Sequence, residues 1–410
     1  MTVARAASMF LLVASVLASA RWAAAGAPAA SAAGPESVDV EDAGPTPAPA
    51  VSPPAVSASP DAGTPPMSAE DGAPLGRAAA PTEAATRGQG AIRAGLEVFA
   101  QYSYRDVSGP GTNRTWFHTF DVPRAHVALE GELERARGRI VLEGTRSAAE
   151  GSLVGVSGDS LVLRIREAYG AYRIVAPLEI SAGVIPTLTV PNLDGTWMMR
   201  AVAPSALEAN GHMSPADLGA KARADLPRGY GWLAAAAYNG EGYTSRELNR
   251  GKSFEAAAEI HPLASIEAAR PLGVFASYVA GSTGTFRARA NRLTAGLLWQ
   301  GVRVRGGALF THAWGIAQLG TQRAIVATAF VRVEPIPRLL GGARLDHVIR
   351  NVEADSNDAL TTIWGSVGYR VALPVEGFVA LGRSIPTTRA QNELPGSSAW
   401  DARIIVRVVF

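Results

Sequence analysis

Along Asp401–Phe410 apolar and polar side chains alternate. Ile404, Val406, Val408 and Phe410 hold the even positions, while Asp401, Arg403 and Arg407 fall on odd ones. A period of two is the signature of a strand with one apolar and one charged face. The pattern recurs upstream. Leu96, Val98, Ala100, Tyr102 and Tyr104 oppose Glu97, Gln101, Ser103 and Arg105. Leu218, Ala220, Ala222 and Ala224 oppose Asp217, Lys221, Arg223 and Asp225, and Phe254, Ala256, Ala258 and Ile260 oppose Ser253, Glu255, Glu259 and His261. Helical periodicity is nearly absent from residue 92 onward, so the expectation is an all-β protein.

Sixteen such segments can be counted: 93–105, 118–133, 138–148, 161–174, 178–186, 216–226, 230–240, 252–262, 271–281, 290–300, 301–313, 322–334, 338–350, 360–373, 375–385 and 399–410. The pattern also accommodates fourteen or eighteen. Every second connection is short, and those between are longer and rich in Gly, Asn, Ser and Thr, the longest being 187–215. A soluble sandwich alternates as well, with its apolar face on a second sheet. Phe410 argues otherwise. A β-branched, apolar last strand would leave a bare edge in a soluble sheet, whereas a closed membrane barrel pairs it on both sides. This segment resembles the C-terminal assembly signal of bacterial outer-membrane barrels. The expected fold class is therefore a transmembrane antiparallel β-barrel of about sixteen strands, with short periplasmic turns and long external loops. Trp232, Trp299, Trp314, Trp364 and Trp400 fall at or near predicted strand ends, where interfacial aromatic girdles sit.

The first ninety residues are of another kind. Arg5, the apolar run Met9–Ala18 and Ala18-Ser19-Ala20 form the three parts of a secretory signal, which assigns 1–25 to a signal peptide. Residues 26–90 hold 12 of the 27 prolines and no Phe, Tyr or Trp. Such a segment cannot bury enough apolar surface to offset its ordering entropy, so it is expected to be a disordered, Pro/Ala-rich periplasmic linker, one able to touch peptidoglycan. The barrel is expected over 91–410. The chain has no cysteine, which excludes disulfides and thiolate metal sites.

No catalytic or cofactor-binding constellation emerges. Gly251-Lys252-Ser253 looks like the end of a phosphate loop, but Arg246 stands where the first glycine is needed. Gly155-Val156-Ser157-Gly158-Asp159 departs from a nucleophile elbow at its last residue. His118 and His126 fall on one face of a strand but about 26 Å apart, too far for a shared metal. No cofactor, metal or nucleic-acid partner is expected, and the chain is not read as an enzyme.

The inward face carries what chemistry there is. With the apolar face on lipid, the lumen receives Arg124, His126, Arg292, Arg303, Arg305, Arg332, Arg344, Arg403 and Arg407, with Glu97, Glu130, Asp346 and Asp401 interspersed. From residue 91 onward there are 34 basic and 28 acidic side chains, a balance of +6, and lysine occurs only at 221 and 252. Arginine-lined pores favour anions, because the guanidinium stays charged and binds oxyanions bidentately. The competing expectation is that these arginines pair with lumenal carboxylates and brace the wall. The loop 187–215 carries Thr196-Trp197-Met198-Met199-Arg200, too apolar to face bulk water, and is expected to fold into the lumen and present Arg200 to the pore. Arg200, Arg303 and Arg305 are the candidate constriction, with Arg292, Arg344, Arg124 and Lys221 as further pore-lining, anion-contacting positions and Phe410 as the assembly signal.

Gly183-Val184-Ile185-Pro186, Trp197, Arg200, Ser214-Pro215-Ala216-Asp217-Leu218-Gly219 and Ala237-Tyr238-Asn239-Gly240-Glu241-Gly242-Tyr243, with Ala168-Tyr169 and Tyr172 before them, resemble the phosphate-selective porin O/P family. The resemblance is clearest over 165–245. It implies a sixteen-stranded trimeric porin with an in-folded loop. With the arginine-lined inward face, the expected function is passive diffusion of small hydrophilic solutes, anions above all, across the bacterial outer membrane. The alternative is a structural or adhesive protein whose barrel only anchors its loops or Pro-rich segment.

Overall fold

The computed structural model describes residues 90–109, 114–146, 161–245, 251–284, 287–316, 319–353, 358–372, 374–394 and 396–410. The expected signal peptide and nearly all of the Pro/Ala-rich segment lie outside the described residues. Sixteen strands form one closed barrel. They are β1 (Ala91–Ser108), β2 (Arg114–Leu133), β3 (Ala136–Arg146), β4 (Leu161–Val175), β5 (Leu178–Pro186) and β6 (Ala216–Asp225). After these come β7 (Gly231–Tyr238), β8 (Ser253–Ile260), β9 (Leu272–Ala280), β10 (Asn291–Gln300) and β11 (Val304–Ile316). The last five are β12 (Leu319–Val333), β13 (Leu339–Ile349), β14 (Ala359–Ala372), β15 (Val375–Pro386) and β16 (Ser398–Val409). Each pairs antiparallel with its neighbours in sequence, and β16 pairs with β1 to close the ring. No helix among the described residues is long and apolar enough to cross a membrane.

Closure satisfies every edge, which is the condition for placing a sheet in hydrocarbon. Alternation puts Leu163, Leu218, Phe254, Val367 and Ile404 on the outer surface, all exposed. Phe410 extends the seam by one residue: its N–H donates to the Leu96 carbonyl at 2.8 Å and its carbonyl accepts from Leu96 at 3.1 Å. Its ring stays 67 % exposed on the outer face. Replacing it by Asp should reduce the amount of heat-modifiable barrel while leaving assembled barrels nearly as stable, since a charge at the membrane boundary costs at most about 1 kcal/mol. Gel mobility of unheated membranes measures this, and an unchanged yield would remove Phe410 from assembly.

Two bulges change which residues face inward. On β4, Arg166 and Glu167 are both buried, so Arg164 and Arg166 point inward from even positions and Glu167, Tyr169 and Ala171 from odd ones. On β2 the register slips opposite Phe99–Gln101, so that Arg124 and Asp121 flank two unpaired residues. The second slip corrects the placement of the two histidines on one face. His126 is buried inside, while His118 is exposed and lies 6.0 Å from the rings of Tyr102 and Trp116.

Two of the five tryptophans also differ from expectation. Trp232 and Trp364 are buried in the interior, against Phe275 and beneath Arg403 respectively. Trp400 is exposed, and Trp299 and Trp314 take the outward parity of their strands. The interior is not uniformly polar. Phe275, Leu298, Leu309, Phe330, Leu340, Phe378 and Ile405 all face inward and are buried. They share one buried cluster with Trp197, Met199, Val202 and Leu207 of the loop 187–215.

Candidate pore and constriction

After β5 the chain turns into the lumen as α1 (Thr189–Trp197) and, after a bend, α2 (Ala206–Ala209). Trp197, Met199, Val202 and Leu207 are almost completely buried. Trp197 meets Phe330 edge to face at 5.6 Å. Gly342 makes room for Met199: a Cβ there would stand 2.3 Å from its sulfur. The stem is fixed by buried Glu255, which accepts from Leu188 N–H at 2.9 Å and Thr189 Oγ1 at 2.6 Å. Glu259 accepts from Asn192 at 2.8 Å. An apolar loop on an apolar half-wall, pinned by carboxylates at its entry, narrows the barrel as the sequence predicted.

The predicted pore residues divide by what they hold. Arg292 donates to the carbonyl of His212 at 2.9 Å, Arg305 to that of Gly195 at 2.9 Å, and Arg344 to those of Ala203, at 3.2 Å, and Pro204. Arg344 is also bound to Asp346 at 2.6 Å. These three therefore tether the loop to the wall. Lys221 donates to Pro186 O at 3.3 Å at the loop stem. Arg305, Lys221, Arg223, Trp232, Glu259 and His261 line a cavity of about 310 Å³ beside α1.

Arg200 is not presented to the pore. Its guanidinium is enclosed between Asp194 and Glu208, and all three side chains are at most 5 % exposed. It clasps α1 to α2. Arg303 is not on a strand either. The reversal after β10 needs three residues, Gly301 to Arg303, so β11 begins at Val304 and Arg303 is exposed in the turn. The pairing of Arg303 with Arg305 on one strand face is thereby corrected.

Opposite the loop, the wall of β2 to β4 carries a cluster that alternation did not reveal. Glu143 is fully buried and accepts from Arg124, from Arg164 at 2.6 Å and from Arg166 at 3.1 Å. His126 stands 3.3 Å from the same carboxylate. Tyr243, from the loop after β7, donates to Glu143 at 2.9 Å, and burial holds its phenol above the usual range, so it remains a donor. Of the three arginines, Arg164 is the one that reaches open space, its side chain 28 % exposed against 3 % and 1 % for Arg124 and Arg166. Tyr243 had appeared only within the family-like motif, and Arg166 was hidden by the bulge.

This cluster is the middle of a continuous chain of ion pairs and hydrogen bonds. It starts at Arg332 and Glu334 and passes through Arg370, Glu376, Arg407 and Glu97 to His126 and Glu143. From Arg166 it continues through Glu167, Arg139 and Glu130 to Arg137 and Glu179. Links run from 2.7 Å for Arg407–Glu97 to 3.9 Å for Arg332–Glu334, and the chain crosses the closing seam between β16 and β1. No group of His, Asp and Glu among the described residues could hold a metal ion.

No family model and no curated protein matches this chain. Solved structures do. The barrel is similar to the anion-selective porin from Comamonas acidovorans (TM-score 0.57, 9 % identity, covering 78 % of this chain and 100 % of that one). It is similar to OmpF of Salmonella typhi (TM-score 0.57, 11 % identity, 78 % and 97 % covered). A trimer form of the outer-membrane protein OmpT of Vibrio cholerae also matches (TM-score 0.52, 10 % identity, 78 % and 99 % covered). At such identities the likeness is one of fold: a closed sixteen-stranded barrel of the outer-membrane porin type.

Proposed function

We propose that this chain is a passive outer-membrane channel for small hydrophilic solutes, with a modest preference for anions. One observation carries the reading. The loop 187–215 is folded across the lumen toward a wall where a single carboxylate, Glu143, gathers the guanidinium groups of Arg124, Arg164 and Arg166. A barrel that only anchored external loops would have no use for an internal constriction, whereas a sixteen-stranded barrel is wide enough to conduct. The local surplus of positive charge favours anions, and the many ion pairs of the wall keep that preference modest. Assembly as a homotrimer in lipid fits the trimer form known for a barrel of this fold. The segment 165–245 supports kinship with phosphate-selective porins, but with lysine at only two positions the expected channel passes phosphate and chloride alike.

The test is reconstitution of purified protein in a planar bilayer. Discrete conductance steps and a zero-current potential on the anion side of a salt gradient are expected. Steps with cation preference would show that the arginines are neutralised in the wall, and absence of steps would leave the anchoring role. Cross-linking that captured only monomers would remove the trimer.

A further inference from the structure

We propose that the short-turn rim of the barrel binds anionic phospholipid headgroups, each turn setting an apolar residue into the leaflet beside an arginine that takes the lipid phosphate. Five of the turn-side connections carry an exposed arginine: Arg135, Arg228, Arg270, Arg303 and Arg338. None of the five forms an ion pair among the described residues, in contrast to the arginines of the lumen. The same turns contribute the carboxylates Glu134 and Glu267, while Glu334 and Asp225 are already paired with Arg370 and Arg223. The rim is therefore positive.

Next to these arginines stand bulky apolar side chains that protein does not cover. Val302 is 91 % exposed and precedes Arg303, Ile336 is 59 % exposed two residues before Arg338, and Ile266, Val175 and Leu133 are each at least half exposed. A rim standing clear in water would expose these groups turn after turn, which soluble surfaces avoid. Outward Tyr172, Tyr369 and Trp299 lie near the same ends of β4, β14 and β10. Aromatic residues of that kind mark the edge of the hydrocarbon, so the turns beyond them fall at headgroup depth. There an apolar residue is covered by acyl chains and glycerol, and a planar guanidinium meets phosphate oxygens bidentately. A carboxylate polymer of the cell wall could satisfy the arginines but would leave Val302 and Ile336 uncovered, and on that ground lipid is the partner.

The inference rests on the barrel spanning a membrane, as proposed above, and not on what passes through it. Its test is native mass spectrometry of the full chain from mixed micelles holding equal phosphatidylglycerol and phosphatidylcholine, with thermal unfolding in vesicles of each lipid. Wild-type protein is expected to retain phosphatidylglycerol preferentially and to melt higher in vesicles that contain it. Each Arg→Gln change at the five positions should reduce the preference by about fivefold. The fivefold Arg→Lys variant keeps the charge and should keep most of the preference. Arg303→Gln alone, at an exposed turn, supplies a folded variant if the Arg→Gln protein changed at all five fails to assemble. Equal retention of both lipids by wild type, or a preference unchanged in Arg303→Gln and in the five-site variant, would overturn the proposal. Arginine-dependent sedimentation with purified sacculi, without a lipid preference, would overturn it in favour of cell wall. Conductance recorded from the same vesicles reports separately on the channel reading.

Discussion

A barrel in which residues 189–210 are replaced by a short Gly-Ser linker is expected to conduct several-fold more current per channel than wild type and to melt at a markedly lower temperature. Both effects come from one arrangement. The loop occupies the lumen, so removing it widens the path. It also covers Phe330, Leu340, Trp364, Phe378 and Ile405, and they cover Trp197, Met199, Val202 and Leu207 in return. Four bulky side chains buried at about 1.5–3 kcal/mol each amount to something on the order of 6–12 kcal/mol of docking. The Arg200 clasp adds to this, and breaking a buried ion pair from one side costs about 3–5 kcal/mol. Apolar packing therefore outweighs the clasp. It follows that Arg200→Ala should leave the loop docked, with noisier current as α2 loosens, whereas deletion should open the channel. Conductance and thermal unfolding on the same preparation check the pair. If the deletion left conductance unchanged, the loop would not be the constriction.

The barrel itself was readable in the sequence because lipid imposes a strict alternation on the outward face. Leu163, Val367 and Ile404 point outward with no protein over them, as an apolar face turned to hydrocarbon requires. The inward face obeys no such rule. Half of it meets water and charges, as at Arg164 and Glu143. The other half meets a piece of the same chain, as at Phe330 and Trp364, and alternation cannot tell lipid from an in-folded loop. Bulges hid more. One extra residue at Arg166–Glu167 reverses every later parity on β4, and only the register on β3 reveals it. Arg303 was misplaced for a simpler reason: Gln300-Gly301 has no conspicuous turn chemistry, so three residues of reversal were counted as strand.

The arginines show how pore lining and wall bracing divide between residues. A guanidinium beside a carboxylate in a low-dielectric wall is held by several hydrogen bonds and cannot follow a passing ion. Arg124, with Glu143, and Arg344, with Asp346, are of this sort, as is Arg407 between Glu97 and Glu376. The chain to which Arg124 and Arg407 belong links strands on both sides of the seam, while Arg344 holds the loop. What remains for selectivity is the cluster at Glu143, where Arg124, Arg164 and Arg166 share one carboxylate and Glu167 takes part of the charge of Arg166. Arg164 is the member of that cluster whose charge reaches the channel.

Arg164→Gln is accordingly expected to move the zero-current potential toward cation preference, and Arg303→Gln is expected to leave it unmoved. Arg164 keeps 28 % of its side chain exposed, so it acts on ions through water. A unit charge in water at about 4 Å contributes about 1 kcal/mol, which limits its effect on local anion occupancy to about fivefold. Salt shortens its reach to about 10 Å at 0.1 M, so the shift should be larger in dilute electrolyte and nearly vanish near 1 M. Arg303 lies exposed in the turn between β10 and β11, away from the β2 to β4 wall that carries Glu143, and serves as the control. Glu143→Gln tests the same cluster from the other side. It should deepen anion preference, but it leaves three guanidinium groups around a neutral amide in the wall, at a cost of about 3–5 kcal/mol. Its sign must therefore be read from barrels shown by gel mobility to be folded. Salt-gradient potentials for the three variants decide the matter: an Arg164→Gln channel as anion-preferring as wild type at low salt would place the selective charge elsewhere in the lumen.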